Sequence, residues 1–419
     1  MAKKFRNQQW VMLLICMLCY LFFYTGRHNF GWAVKDMSKE LNIGYAQVGW
    51  ISFSMLIGYA VGQFINGNLA DRFSARFMVV TGAYLSVCMN IAISFSQSAG
   101  LIMIFWAFNG YFQSMAWAPS SKVISNWWSK EEKGKAFGLF TMSAGLSSAV
   151  TYLLSIVMIQ QHMEWRMLFR LPVLLLLVVA TIYLWVIRDK PSLLGFQEFE
   201  ENRSEPSAPK EDWVRRYKVV FNNKGFMMAS LSFAFESMAR YGLIFWVPVH
   251  YLGENWKANP SYLWVTFLLP IGMATGALSF GILSDSLFKR NRIASIRFGM
   301  LISAGLALLI YLLPAENIIV GAVLMFFVGF FVYGPQANFW TLSPEMLGNK
   351  YTGTGIGLMN MCGYVFAALG EPMFGHVIDL LGNSDVIFII VSVICLLSAI
   401  VISLVKVNKM PYLTKIPVS

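Results

Sequence analysis

The chain has 419 residues, 57% of them hydrophobic and only 13% charged, well below the charged share of a soluble domain, about 25%. No single soluble core absorbs that much apolar surface, so soluble classes are excluded and an integral membrane protein is expected. The formal net charge of +11 would suit a nucleic-acid binder, but its distribution along the chain points elsewhere.

Twelve apolar segments follow one another. The first six lie near residues 10–33, 46–69, 76–97, 100–126, 135–159 and 168–187. The second six lie near 225–250, 261–284, 294–313, 317–342, 352–378 and 384–405. Most reach about 20 residues, enough to cross a bilayer as a helix, whereas barrel strands would show alternating segments of about ten. The expected fold class is therefore an all-α membrane protein of twelve transmembrane helices. The sequence MAKKFRNQQ precedes an apolar run too long for a signal peptide and lacks a small-residue cleavage site, so it is expected to be retained. Connections are short except for residues 188–224, which are polar and contain Pro191, Pro206 and Pro209. The expected organisation is a six-helix bundle at 1–188, a central loop at 189–224 and a second bundle with a short tail at 225–419. The end of the loop, DWVRRYKVVF, reads either as a basic interfacial helix, with Trp213, Tyr217 and Phe221 toward lipid, or as a solvated linker.

Lysine and arginine alternate between the two sides of this arrangement. One side holds Lys3, Lys4, Arg6, Arg72, Arg76, the lysines at 130–135, the central loop and Lys289 to Arg297; the other keeps few, among them Lys35, Lys39, Arg166 and Lys257. This asymmetry predicts that both termini are cytoplasmic and accounts for most of the charge without nucleic acid. The five cysteines, Cys16, Cys19, Cys88, Cys362 and Cys395, all lie in apolar segments without metal-ligand spacing. They read as packing residues, and no disulfide or metal site is expected. No Walker loop, zinc-ligand spacing or nucleophile elbow occurs, so neither a cofactor nor an enzymatic activity is expected.

Arg27 lies near the end of the first apolar run, in YTGRHNF. Arginine at the centre of a membrane helix costs about 2.5–3.5 kcal/mol on insertion scales and usually faces a water-filled cavity where it acts. Arg240 stands at the matching place in the second half. The halves repeat elsewhere: GNLADRFSAR at 67–76 matches GILSDSLFKR at 281–290, aligning Gly67 with Gly281, Leu69 with Leu283 and Asp71 with Asp285. Pro119 and Pro335 also correspond. Two parallel six-helix repeats are the plan of transporters that bind substrate near the membrane midplane.

The G-x-L-A-D-R-x-x-x-R stretch at 67–76, with its echo at 281–290, resembles the major facilitator superfamily over nearly the whole chain. The physical sense of the motif is a charge clamp, with Asp71 capping a helix N-terminus and Arg72 and Arg76 facing cytoplasmic carboxylates; Asp285 would repeat it. YTGRHNFGWA at 24–33, GYFQSMAWAPSSKVISNWWSKEEKGKAFG at 110–138 and ARYGLIFWVPVHYL at 239–252 are similar to the organophosphate:phosphate antiporters, which exchange glycerol or hexose phosphates for inorganic phosphate. The resemblance implies that Arg27 and Arg240 bind the phosphoryl group, and guanidinium forks suit that task. The chain departs from glycerol-phosphate members: TMSAGLSSA at 141–149 has no histidine where they carry one, position 133 is Lys133 rather than arginine, and His28 follows Arg27 where some members have lysine.

Glu236 and Arg240, four apart, share a helix face. Glu236 is read as counter-charge, proton carrier or structural partner. Glu371, in GEPMFG, is read as protonatable or as a partner of Arg27 or Lys122. Lys122 is either a third cation of the site or a lysine snorkelling toward the cytoplasm. His28 is a hydrogen-bonding or proton-switching residue of the cavity. Tyr24, Trp117, Tyr241, Asn338 and Tyr364 are candidates to contact the organic part of the substrate. Trp127 and Trp128 are expected at the cytoplasmic membrane interface, and Gly353 with Gly357 is expected to let helices approach closely. The chain is thus expected to be a monomeric, multi-pass inner (plasma) membrane transporter of an organic phosphate or similar small anion, coupled to phosphate or protons, with the bilayer as its other partner. Proton-coupled anion symport, sugar-phosphate sensing and phospholipid transport remain alternatives.

Overall fold

A computed structural model describes residues 2–199, 213–252, 262–313, 318–348 and 351–405. Every regular element among them is helical. In the first half these are α1 (Ala2–Phe23), α2 (Phe30–Leu41), α3 (Tyr45–Arg72), α4 (Ala75–Phe95), α5 (Ala99–Gln113), α6 (Trp117–Trp127), α7 (Lys130–Gln160) and α8 (Met167–Val186). Then come α9 (Trp213–Asn222), in the stretch read as interfacial helix or linker, and α10 (Lys224–Tyr251), α11 (Tyr262–Ser286), α12 (Arg292–Leu312), α13 (Ile318–Tyr333), α14 (Gln336–Leu347), α15 (Thr352–Leu381) and α16 (Val386–Ser403).

Eight helical stretches among the described residues are long and apolar enough to cross a membrane. Helices α7, α10 and α15 run 31, 28 and 30 residues but carry more polar groups.

Three apolar segments are each split into two helices. Proline explains two of the splits. Pro335 precedes α14 with φ −56°, and Pro119 sits in the first turn of α6, where its missing N–H leaves nothing unsatisfied. The third split, between α1 and α2, has no proline. There a single 3₁₀ turn, Tyr24–Gly26, leads to Arg27 at φ −128° and ψ −53°.

By contacts the chain forms two compact units. One holds residues 1–207, 244–271 and 368–384; the other holds 208–243, 272–367 and 385–419. The first unit therefore includes the end of α10, the start of α11 and the end of α15. Its core joins Leu13, Cys16, Cys19, Tyr20 and Phe23 of α1 to Val79, Ala83 and Val87 of α4, Trp127 of α6 and Leu176 and Tyr183 of α8. Trp127 and Trp128 lie inside this core, both fully buried, and not on a lipid-facing belt. Phe5 stacks on Trp127, and Trp10 meets Trp128 edge-on. The five cysteines are free; Cys16, Cys19 and Cys395 are buried.

Glycine sets the closest helix crossings, but not at the expected pair. A Cβ on Gly353 or Gly357 would meet nothing within 4 Å among the described residues. The tight places include Gly58 and Gly62 of α3, against the Ala107 carbonyl and Ser114 of the fifth helix and the turn after it, and Gly272 and Gly276 of α11, against the Phe326 and Phe330 carbonyls of α13. Both pairs have the G-x-x-x-G spacing that lets backbones touch, and they recur at corresponding places in the two halves.

Candidate functional site

The first unit buries Arg27, which is 5% exposed. Its guanidinium carbon lies 4.0 Å from the centre of the Tyr59 ring and 5.1 Å from that of Tyr24. A planar guanidinium stacks on such faces and keeps its charge. Tyr24 in turn meets His28 edge-on at 5.0 Å and Tyr20 at 5.3 Å, and Tyr20 leans on Trp117 at 5.2 Å. Trp117 stacks on Phe140 of α7 at 4.9 Å. The structure thus gathers Tyr24, Arg27, His28 and Trp117 around the split in the first segment. Ser148 Oγ of α7 lies 2.9 Å from His28 Nδ1 and fixes that ring's orientation.

The split would leave carbonyls without helical partners, and side chains meet them. Gln113 Nε2 donates to the carbonyls of Phe23 at 2.9 Å and Gly26 at 3.0 Å. Asn109 Nδ2 and Asn90 Nδ2 donate to the same Gly26 carbonyl at 2.9 and 3.3 Å. Asn29 Nδ2 donates to the Leu168 carbonyl at 2.9 Å. Buried carbonyls require such partners, all the more where lipid excludes water.

The second unit buries Glu236 completely and leaves the Arg240 side chain 12% exposed. Arg240 Nε stands 3.6 Å from Glu236 Oε1, one helical turn away on α10, and Ser237 Oγ donates to Glu236 Oε2 at 3.2 Å. The Arg240 guanidinium lies over Tyr241 at 4.6 Å and Tyr333 at 5.1 Å, and Tyr241 meets Tyr364 at 5.7 Å. Asn338 is buried on α14 and donates to Ser295 Oγ at 3.0 Å.

The remaining expected residues lie elsewhere. Glu371 is buried in the first unit, where its Oε2 accepts from Trp246 Nε1 at 2.9 Å. Lys122 Nζ donates to the Ala70 carbonyl at 2.6 Å, near the end of α3. The side chains of Asp71 and Arg72 lie outside the described residues. Arg76 lies over Phe77 at 4.6 Å. The N-terminus of α4 is capped by Asp189, whose carboxylate accepts from Ala75 N and Arg76 N at 3.0 and 2.9 Å. Asp285 is half exposed and pairs with Arg292 at 2.7 Å; Arg292 also reaches Ser284 Oγ at 2.8 Å.

Sequence reasoning missed four features. The amides Asn90, Asn109 and Gln113 were legible only as polar residues in apolar segments. Tyr59 resembled any aromatic packing residue. Asp189 and Asp379 gave no local signal as caps, because their partners lie far away in sequence. Asp379 accepts from the first N–H groups of α3, Tyr45 N at 3.0 Å and Ala46 N at 2.8 Å. In the same unit Lys35 Nζ donates to the Leu252 carbonyl and Tyr152 Oη to the Ile244 carbonyl, each at 2.6 Å.

The profile of the Major Facilitator Superfamily matches residues 16–371. The glycerol-3-phosphate transporter of Bacillus subtilis (strain 168) is 26% identical, over 96% of this chain and 92% of the relative. A probable hexose phosphate transport protein of Chlamydia trachomatis serovar D is also 26% identical, over 86% of this chain and 83% of the relative. Among solved structures, a bacterial homologue of the human lysosomal transporter Spinster, inward-facing and unoccupied, superposes with a TM-score of 0.79 at 14% identity, covering 94% of this chain and 96% of that one. That likeness bears on the fold.

Proposed function

The chain belongs to the Major Facilitator Superfamily, and on that premise we propose that it carries an organic phosphate across the membrane in exchange for inorganic phosphate. It is a multi-pass inner-membrane transporter, not an enzyme. The relatives named for glycerol-3-phosphate and hexose phosphate support a phosphorylated substrate. We assign twelve spans with both termini cytoplasmic, and the halves 1–188 and 225–419 as the bodies that move; the transporter works as a monomer.

The observation that carries this reading is an arginine at the corresponding place in each half, Arg27, which is buried, and Arg240, whose side chain is only 12% exposed. Neither belongs in an apolar interior without a function. In the proposal both bind the phosphoryl group, and Tyr24, His28, Trp117, Tyr241 and Tyr364 contact the organic part. Glu236 is the counter-charge of Arg240 in the empty protein. Its 3.6 Å separation is long for a charge-assisted hydrogen bond, so an arriving anion competes readily. Exchange follows from the penalty on buried charge: with Glu236 offsetting only one of the two arginines, reorientation without an anion would desolvate a net positive site, and bound phosphate relieves this. The motif side chains Asp71, Arg72, Arg76 and Asp285 act as the clamp of the cycle, and Lys122 holds the end of α3.

A second reading, proton-coupled symport, is favoured by the buried carboxylates Glu236 and Glu371. One experiment separates them: uptake of labelled phosphate into proteoliposomes, with internal phosphate and the pH gradient varied independently. Uptake that requires internal phosphate and ignores the pH gradient is expected. Uptake driven by the pH gradient alone assigns symport. No phosphate flux under any condition overturns phosphate exchange, and binding without flux points to a sensor.

A further inference from the structure

Arg27 does not sit on a helix. It follows Gly26, whose carbonyl is the most heavily bonded point in the split. Three amide donors converge on it: Asn109 Nδ2 at 2.9 Å, Gln113 Nε2 at 3.0 Å and Asn90 Nδ2 at 3.3 Å. Two belong to α5 and one to α4. A carbonyl has two lone pairs, so this acceptor is saturated.

The donors are themselves fixed. Asn109 Oδ1 accepts from Ser86 Oγ at 2.6 Å and from Asn90 Nδ2 at 3.1 Å, while Asn90 Oδ1 accepts from Asn29 Nδ2 at 3.3 Å. Gln113 Nε2 also spans to the Phe23 carbonyl at 2.9 Å, so one side chain grips both ends of the turn. Asn29, Ser86, Asn90 and Asn109 are fully buried and Gln113 nearly so. A larger residue at position 26 would be crowded, because a Cβ there would fall 3.0 Å from Asn90 Nδ2 and 3.1 Å from a Val173 methyl carbon. Without the amides, water or a regular helical turn would have to satisfy these carbonyls, and either would change the direction of the residue that follows.

We propose that Asn90, Asn109 and Gln113 are positioning residues for Arg27: they hold the first segment open at Gly26 and thereby aim the guanidinium. The amides need not touch the substrate; they act through the backbone, as supporting groups do around a binding residue. The inference rests on the reading that Arg27 binds phosphate.

The test uses the full chain in lipid nanodiscs, with inorganic phosphate as probe. Asn109→Leu and Gln113→Leu remove donors at roughly constant volume. Gln113→Asn keeps an amide one methylene too short to reach, and serves if the leucine variants fail to fold. Two quantities are read on folded, monodisperse protein: amide hydrogen exchange in peptides covering residues 20–33 without phosphate, and the phosphate Kd. Each variant is expected to exchange faster in that segment and to bind phosphate about tenfold more weakly, the loss expected when one charge-assisted contact is misdirected. A merely structural role would lower stability but leave the Kd of the folded fraction unchanged, and that result overturns the proposal. Unchanged exchange at 20–33 overturns it too. Failure of the wild-type chain to bind phosphate overturns the functional reading instead, and is recognised because it needs no variant.

Discussion

Arg27 and Arg240 fill corresponding places in a repeated chain, yet the backbone beneath them differs. Arg27 follows a 3₁₀ turn that divides its segment into α1 and α2. Arg240 lies within α10, an unbroken helix of 28 residues. The first arginine rests on two tyrosine rings next to a split held by amides from α4 and α5. The second rests on two tyrosine rings with a carboxylate one turn away. The repeat therefore supplies two ways to keep a cation at depth. A continuous helix satisfies its own backbone and can offer a carboxylate at i−4. An interrupted helix spends its neighbours' amides on backbone, and gains a side chain that leaves in a direction no helix allows.

The comparison predicts unequal sensitivity to lysine. Arg27→Lys should reduce phosphate exchange about a hundredfold while the protein still folds, because an ammonium neither stacks on Tyr59 and Tyr24 nor forms a bidentate fork. Arg240→Lys should lose about tenfold, because lysine loses the fork and the stacking on Tyr241 and Tyr333 but keeps the ion pair with Glu236. Initial exchange rates in proteoliposomes decide the matter. Equal losses would mean that the two backbones make no difference, and near-normal exchange in either variant removes that arginine from the site.

Glu236→Gln sharpens the second half of the comparison. Opposite charges about 4 Å apart interact by about 4 kcal/mol at an intermediate dielectric, so removing the carboxylate leaves Arg240 with a surplus of positive potential. Phosphate should then bind about tenfold more tightly and leave more slowly, lowering exchange at saturation. Binding isotherms and exchange rates measured on one preparation test both halves of this statement. Unchanged affinity together with loss of a pH-gradient effect would make Glu236 a proton carrier.

Much of this architecture was legible in the chain. Apolar runs marked the helices, and the repeat paired Arg27 with Arg240, because hydrophobic period and local motif are properties of short stretches. Pro119 and Pro335 marked two places where a helix had to restart. The split at Tyr24–Gly26 carried no such mark: Gly26 alone does not stop a helix, and the groups that stabilise the break come from residues 64 to 90 positions away. The G-x-x-x-G pairs at Gly58 and Gly272 were present in the sequence beside the pair at Gly353, and only packing shows which ones meet a neighbour's backbone. The caps from Asp189 and Asp379 were hidden for the same reason: a carboxylate can cap any helix end that folding brings to it.

The smallest expected effect concerns His28, which has no counterpart beside Arg240. Its Nδ1 lies 2.9 Å from Ser148 Oγ, and its ring meets Tyr24. Ser148→Ala removes the bond and leaves the ring's contact with Tyr24 in place. The phosphate Kd should stay within about twofold, since Arg27 keeps its tyrosines and the amides around Gly26 are untouched. Competition by glycerol 3-phosphate should weaken about threefold, the cost of a hydrogen bond of ordinary strength made less well. Competition curves against labelled phosphate report both numbers in one titration. An equal shift for both ligands would place His28 on the phosphoryl group, making the first half a two-cation cluster and widening its difference from the second. No shift for either would leave the Ser148–His28 bond as support for α7 against the split, and the asymmetry between the halves would then reside in backbone alone.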